Sequence, residues 1–138
     1  MIEYKTYDSS LREVTIADGF FEGWPNPPSK VVHRKLLENS YRTFVAVDLN
    51  VNVIVGFINV ISDGVLSAYI PLLEVVPAYR KRSIETSLLK MAIESCKGLY
   101  MLDLLCDEEM VSFYETEGMR RAGAMVLRNY QNQSGISE

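Results

Sequence analysis

The chain has 138 residues, 48% of them apolar and 23% charged, with a formal net charge of −4. That length suits one domain with a single core, so residues 1–138 are expected to form one unit. The acidic balance argues against a general nucleic-acid binder, whose surface would be basic, and no run approaches the roughly eighteen apolar residues that mark a membrane span.

"MIEYKTYDSS" opens the chain with acids and no hydrophobic stretch, so no secretory leader is expected and the default location is the cytoplasm. "IEYKTY" alternates as a strand does. A helix is expected to begin at the capping signal Asp8 to Ser10, turn Leu11, Val14 and Phe21 inward, and end at Gly23. The proline-punctuated "WPNPPS", Trp24 to Ser29, is irregular, and Ser29 caps a second helix through about Asn39. His33, the single histidine, is expected on the solvated face of that helix.

Residues 41–76 are rich in β-branched and aromatic side chains and are broken by "DLNVN" and "SDG". They predict three consecutive antiparallel strands. After Pro77 the period changes: Ile84, Leu88, Met91, Ala92 and Ser95 share a helical face that should end near Lys97 and Gly98. "LYMLDLLC" is an apolar strand, placed parallel to its predecessor by the strand, helix, strand order. A short helix in "EEMVSFYETEG" closes at Gly118, "AGAMVLRNY" is expected to form a last strand, and residues 131–138 are expected to fray. Cys96 and Cys106 fit neither a CxxC motif nor a disulfide framework and are expected to be reduced and buried. One histidine and two spaced cysteines do not make a zinc site, and no metal is expected.

Arg80, Lys81 and Arg82 stand directly before the helix that begins at Ile84. A helix start is already partly positive and rich in unpaired N–H groups, so three cations there ask for an anion. Ser83 fits either a plain cap or a phosphate donor. Glu85 supplies a carboxylate in the first turn that could pair with Lys81 or Arg82 and stand in for the anion.

"VVPAYRKRSIETSLL" followed by "DEEMVSFYETEGM", in this order of elements, resembles the GNAT superfamily of acyl-CoA-dependent N-acetyltransferases over essentially the whole chain. The family's pyrophosphate loop runs Gln/Arg-x-x-Gly-x-Gly/Ala after a strand ending in Val-x-Pro. Arg80 holds its first place, with Ser83 and Glu85 where the glycines belong. Asp107, Met110, Phe113, Tyr114, Gly118 and Met119 match the family's second segment, Asn-x-x-Ala-x-x-Phe-Tyr-x-x-x-Gly-Phe. "FFEGWPNPPS" and "MVLRNY" are similar to a bacterial subgroup.

The resemblance implies a mixed α/β fold with a central, mainly antiparallel sheet flanked by helices. It also implies acetyl-CoA as co-substrate, held by the backbone at Val75 and Val76, by Arg80, Lys81, Arg82, Ser83, Ile84 and Glu85, and by Asp107 and Phe113. Tyr114 corresponds to the general acid, or packs over the pantetheine arm. Glu74 is the base candidate, or a strand carboxylate paired with a cation. Phe20, Phe21, Trp24 and Tyr69 are read as core packing or as a wall for the acceptor, a small-molecule or peptide amine. A relative that has lost catalysis and serves as a ligand-sensing or interaction module is the alternative. A homodimer, paired through the last strand, is the partner that strand allows.

Overall fold

The structure, a computed structural model, describes residues 1–137. Six strands form one mixed sheet: β1 Ile2–Thr6, β2 Thr15–Ile16, β3 Arg42–Asp48, β4 Val53–Ser62, β5 Ser67–Val75 and β6 Met101–Leu104. Their order is β1-β3-β4-β5-β6, antiparallel except where β6 joins β5, with β2 parallel to β4 beside the main path. The three expected central strands are present, and their alternation sorts side chains to two faces. On one face Phe44, Ala46, Val55 and Ile58 meet Ile84, Leu88, Leu89 and Ala92 of helix α2, Ile84–Ser95. On the other, Val45, Val47, Ile54 and Phe57 meet Leu37 of helix α1, Lys30–Asn39. Ser29 caps α1 by accepting the Val32 N–H, as its position before the apolar run predicted. A third, short helix, α3 Val111–Thr116, follows a single 3-10 turn and closes at Gly118 with φ +96°.

Several expectations need correction. Asp8 caps only a 3-10 turn, Ser9–Leu11, and no long helix follows. The chain instead runs extended so that Thr15 and Ile16 pair with Val53 and Ile54, while Arg34 of α1 donates to the carbonyls of Leu11 and Val14. Gly19, Phe21 and Gly23 all have positive φ, which no right-handed helix admits. The last strand is also missing, since residues 119–129 have no regular structure and Met125 and Leu127 are 96% and 80% exposed. Of the tail expected to fray, Glu138 lies outside the described residues, and Gln133, Ser134 and Ser137 hydrogen-bond to Asn26 and Lys35. Finally, Cys96 is buried but Cys106 is exposed, because β6 ends at Leu104 and leaves Cys106 beyond the sheet.

His33 is not solvated but 2% exposed. Its ring centroid lies 4.9 Å from that of Phe20, 5.0 Å from Phe21 and 4.6 Å from Phe57, and its Nε2 has no hydrogen-bond partner. Burial, helped by the neighbouring Arg34 charge, holds the imidazole pKa down to about 4. The unfolded chain takes up that proton near pH 6.5 and the folded one only near pH 4, so this contribution to stability is complete above pH 6.5. It is lost as pH falls to about 4, to the extent of about 3 kcal/mol. Unfolding free energies of wild type and His33→Phe should therefore diverge by about that amount between pH 7 and pH 4. A gap independent of pH would contradict a buried neutral imidazole.

Candidate active site

Strands β5 and β6 pair only from Ser67↔Met101 to Ile70↔Leu104, yet β5 continues to Val75. The register against β4 explains the parting. Asn59 faces Leu72 and Ile61 faces Tyr69, so two steps on β4 match three on β5, a bulge at Ile70 and Pro71. Bulges bend strands, and Pro71 has no N–H to lose from the ladder. The extra residue also reverses the phase of β5. Val76 donates to the carbonyl of Val55 in β4, so strand alternation turns the N–H and C=O of Val75 away from β4 into the gap beside β6.

Helix α2 begins directly over this gap. Gly56 of β4 makes the approach possible, since a Cβ there would lie 3.1 Å from Val75 Cγ2 and 3.3 Å from Ile84 Cγ2. The loop from Arg80 to Ser83 enters α2 with Lys81 at φ +64° and Ser83 at φ +62°. Neither is glycine, and each such residue costs about 1–2 kcal/mol. The backbone N–H groups of Lys81, Arg82, Ser83, Ile84 and Glu85 have no partner among the described residues, and the Ser83 side chain does not cap.

The three cations separate in role. Arg80 donates through Nε to the carbonyl of Val75 at 3.1 Å and pairs with Glu22 at 3.0 Å, binding the loop to the end of β5. Arg82 lies 4.9 Å over the Tyr79 ring, and the Tyr79 hydroxyl donates to Asp48. Lys81 is exposed and forms no ion pair among the described residues. Neither does Glu85, so the pairing with Lys81 or Arg82 that would have neutralised the loop does not form.

Glu74 is half-buried on the α1 side of the sheet, opposite Phe57, and its Oε1 accepts the Phe21 N–H at 2.8 Å. Burial raises its pKa, opposed by the Phe21 amide and the Arg80 charge and reinforced by Glu22. Tyr114 packs from the α2 side, its ring 4.9 Å from that of Phe113. Burial, with Cys106 nearby, pushes its phenol up to about 12, and the hydroxyl has no hydrogen-bond partner among the described residues. Asp107 is exposed before the 3-10 turn that leads into α3 and caps nothing with its side chain.

Glu74, Val75, Val76 and Arg80 thus lie together at one end of β5, followed by Lys81 to Glu85 at the start of α2, and Phe113 and Tyr114 pack against the core on the α2 side of the sheet. Phe20, Phe21 and Trp24 pack around His33 and Phe57 next to Glu74. Tyr69 does not join them, lying five residues or roughly 16 Å back along β5. Sequence reasoning missed Pro71 and Gly56. A proline inside an otherwise regular strand pattern was the available signal for the first; the need for Gly56 arises only when β4, β5 and α2 are stacked.

The left-handed Ser83 gives a sign test. Glycine is usually less stable than alanine at ordinary positions by about 0.5–1 kcal/mol. At position 83 the order should invert, Ser83→Gly exceeding Ser83→Ala by about 1 kcal/mol in chemical unfolding. Alanine equal or superior to glycine would place Ser83 outside the left-handed region.

The acetyltransferase (GNAT) family model matches residues 10–119. A Deinococcus radiodurans R1 protein provisionally named an acetyltransferase is 42% identical and superposes with a TM-score of 0.89, over 98% of this chain and 93% of that one. A GNAT-family acetyltransferase from Streptococcus pneumoniae TIGR4 shares the fold at 22% identity and a TM-score of 0.68, over 94% and 99% of the two chains. So does glucosamine-6-phosphate N-acetyltransferase from Arabidopsis thaliana, at 14% identity and 0.65, over 93% and 97%. No curated protein matches the sequence. With four-fifths of its length under the family model and a relative of this similarity end to end, the chain belongs to the GNAT acetyltransferase family.

Proposed function

We propose that this protein transfers an acetyl group from acetyl-CoA to a primary amine of a small molecule or peptide by direct attack. The observation that carries the reading is the loop from Lys81 to Glu85, whose amides have no protein partner and whose Lys81 has no counter-ion among the described residues. Two residues hold left-handed conformations that this geometry requires and that glycine would adopt without cost. Such a turn before a helix suits a pyrophosphate, with the dipole of α2 behind it and Lys81 and Arg82 beside it. Ile84 fixes the helix start by its burial, and Ser83 offers a hydroxyl.

When bound, acetyl-CoA supplies an activated acyl thioester. The Val75 N–H faces the gap and would orient the pantetheine arm, while Val76 is committed to the sheet. Phe113 and Asp107 would border the arm on the far side. Glu74 packs on the α1 side of the sheet and Tyr114 on the α2 side, so a ligand threaded through the gap would meet both. Glu74, with Oε2 free of protein partners, would accept the proton of the attacking amine, directly or through water; its raised pKa brings it nearer the range of an effective base. Tyr114 would give its proton to the departing thiolate. With its phenol pushed up to about 12 it stays protonated throughout the physiological range.

Titration calorimetry tests the cofactor half. The wild type should bind acetyl-CoA less tightly as salt rises, and Glu85→Gln should bind it more tightly, because a carboxylate beside the phosphates repels them. Silence from both proteins would favour the reading in which the chain is a ligand-sensing or interaction module. Coenzyme A release with a panel of primary amines tests the other half. Tyr114→Phe should lower turnover by about 100-fold or more while changing acetyl-CoA affinity little. Weakened binding with turnover preserved would make Tyr114 a packing residue.

A further inference from the structure

The tail of the chain is tied to the proline-rich loop by contacts that neither the family match nor the proposed chemistry requires. Pro25, Pro27 and Pro28 have no N–H, so Asn26 holds the only backbone donor from residue 25 to residue 28. That donor goes to Gln133 Oε1 at 2.7 Å, and the Asn26 carbonyl accepts from Ser134 Oγ at 3.0 Å. Both backbone polar groups of Asn26 are therefore taken by the tail. Gly135 follows at φ +78°, packed so closely that a Cβ would lie 2.8 Å from Val32 Cγ1 of α1. Lys35 of α1 donates to the Ser137 carbonyl at 2.7 Å.

The loop transmits that hold. Prolines fix φ on both sides of Asn26, and Trp24, immediately before, donates its N–H to the Phe21 carbonyl with the two rings 5.0 Å apart. Phe21 itself sits at φ +60°, a costly conformation for an aromatic residue, with its N–H on Glu74. Arg80 and Glu22 are the other charged groups facing that carboxylate.

We propose that residues Gln133–Ser137 are a positioning element, a clasp that fixes the Trp24–Ser29 wall and, through Phe21, the orientation of the Glu74 carboxylate. Among the described residues no hydrogen bond or ion pair joins the clasp to the loop at Lys81–Glu85. Its catalytic meaning rests on Glu74 acting as the base, but the contacts can be tested without that assumption.

Trp24 is the only tryptophan, so its fluorescence reports the loop alone. The Phe21 amide resonance reports the protonation of Glu74. In Gln133→Met combined with Ser134→Ala, acrylamide quenching of Trp24 should rise, reflecting about a fivefold larger open fraction of the loop. The pH inflection of the Phe21 amide should fall toward that of an ordinary glutamate as the carboxylate gains water. Gln133→Glu, which keeps an acceptor, should stay near wild type, and Gly135→Ala should reproduce the loosened state by forcing the tail off Val32. Unchanged quenching and an unchanged Phe21 inflection in the double variant would overturn the clasp. Failure of acetyl-CoA binding with these shifts intact would instead count against the transferase reading and leave the clasp standing.

Discussion

The bulge at Ile70 and Pro71 is the constraint from which the site follows. An extra residue on β5 changes which of its backbone groups face β4, and a proline at that place removes one donor that would otherwise continue the ladder toward β6. The two strands then separate, and the N–H of Val75 faces a gap instead of a partner strand, while its carbonyl is taken by Arg80. Gly56, one strand away, removes the side chain that would hold α2 off the end of β5. Bend, gap and helix start are therefore one arrangement, built from a proline, a glycine and an alternation of phase.

The loop above the gap keeps its shape without the glycines that make such a shape easy. Lys81 and Ser83 carry the strain, and neighbours hold it: Arg80 grips the Val75 carbonyl, and Arg82 lies on Tyr79, whose hydroxyl is bonded to Asp48. Tyr79 in turn holds the Asp48 carboxyl below its ordinary range, joined by the Asn50 amide. A chain of contacts thus runs from the β3–β4 turn to the start of α2. Strain maintained by its surroundings is a feature of functional turns, where the conformation has a use beyond stability.

Much of this was legible in the sequence. The alternation and turn signals from Tyr41 to Val76 gave the three central strands, Ser29 marked the start of α1, and the change of period after Pro77 marked α2. The two motif segments located the loop and Tyr114 because their spacing survives the loss of the glycines. The failures have a common cause in tertiary competition. The "DSS" signal caps a turn, but pairing of Thr15 and Ile16 with β4 outweighs helix formation after it. His33 lies on a helix that looked half solvated, and only the packing of Phe20 and Phe21 against it makes the site dry. The contacts of the polar tail were not legible because their partners, Asn26, Val32 and Lys35, are about a hundred residues away in sequence.

The most direct test of this account is the pattern of backbone amide shifts on titrating the wild-type protein with acetyl-CoA. The largest changes should fall on the amides of Arg82 to Glu85 and on Val75, the groups left unpaired by the left-handed turn and by the bulge in β5. Shifts confined to other surfaces, with those amides unmoved at saturation, would show that the loop does not cradle the diphosphate.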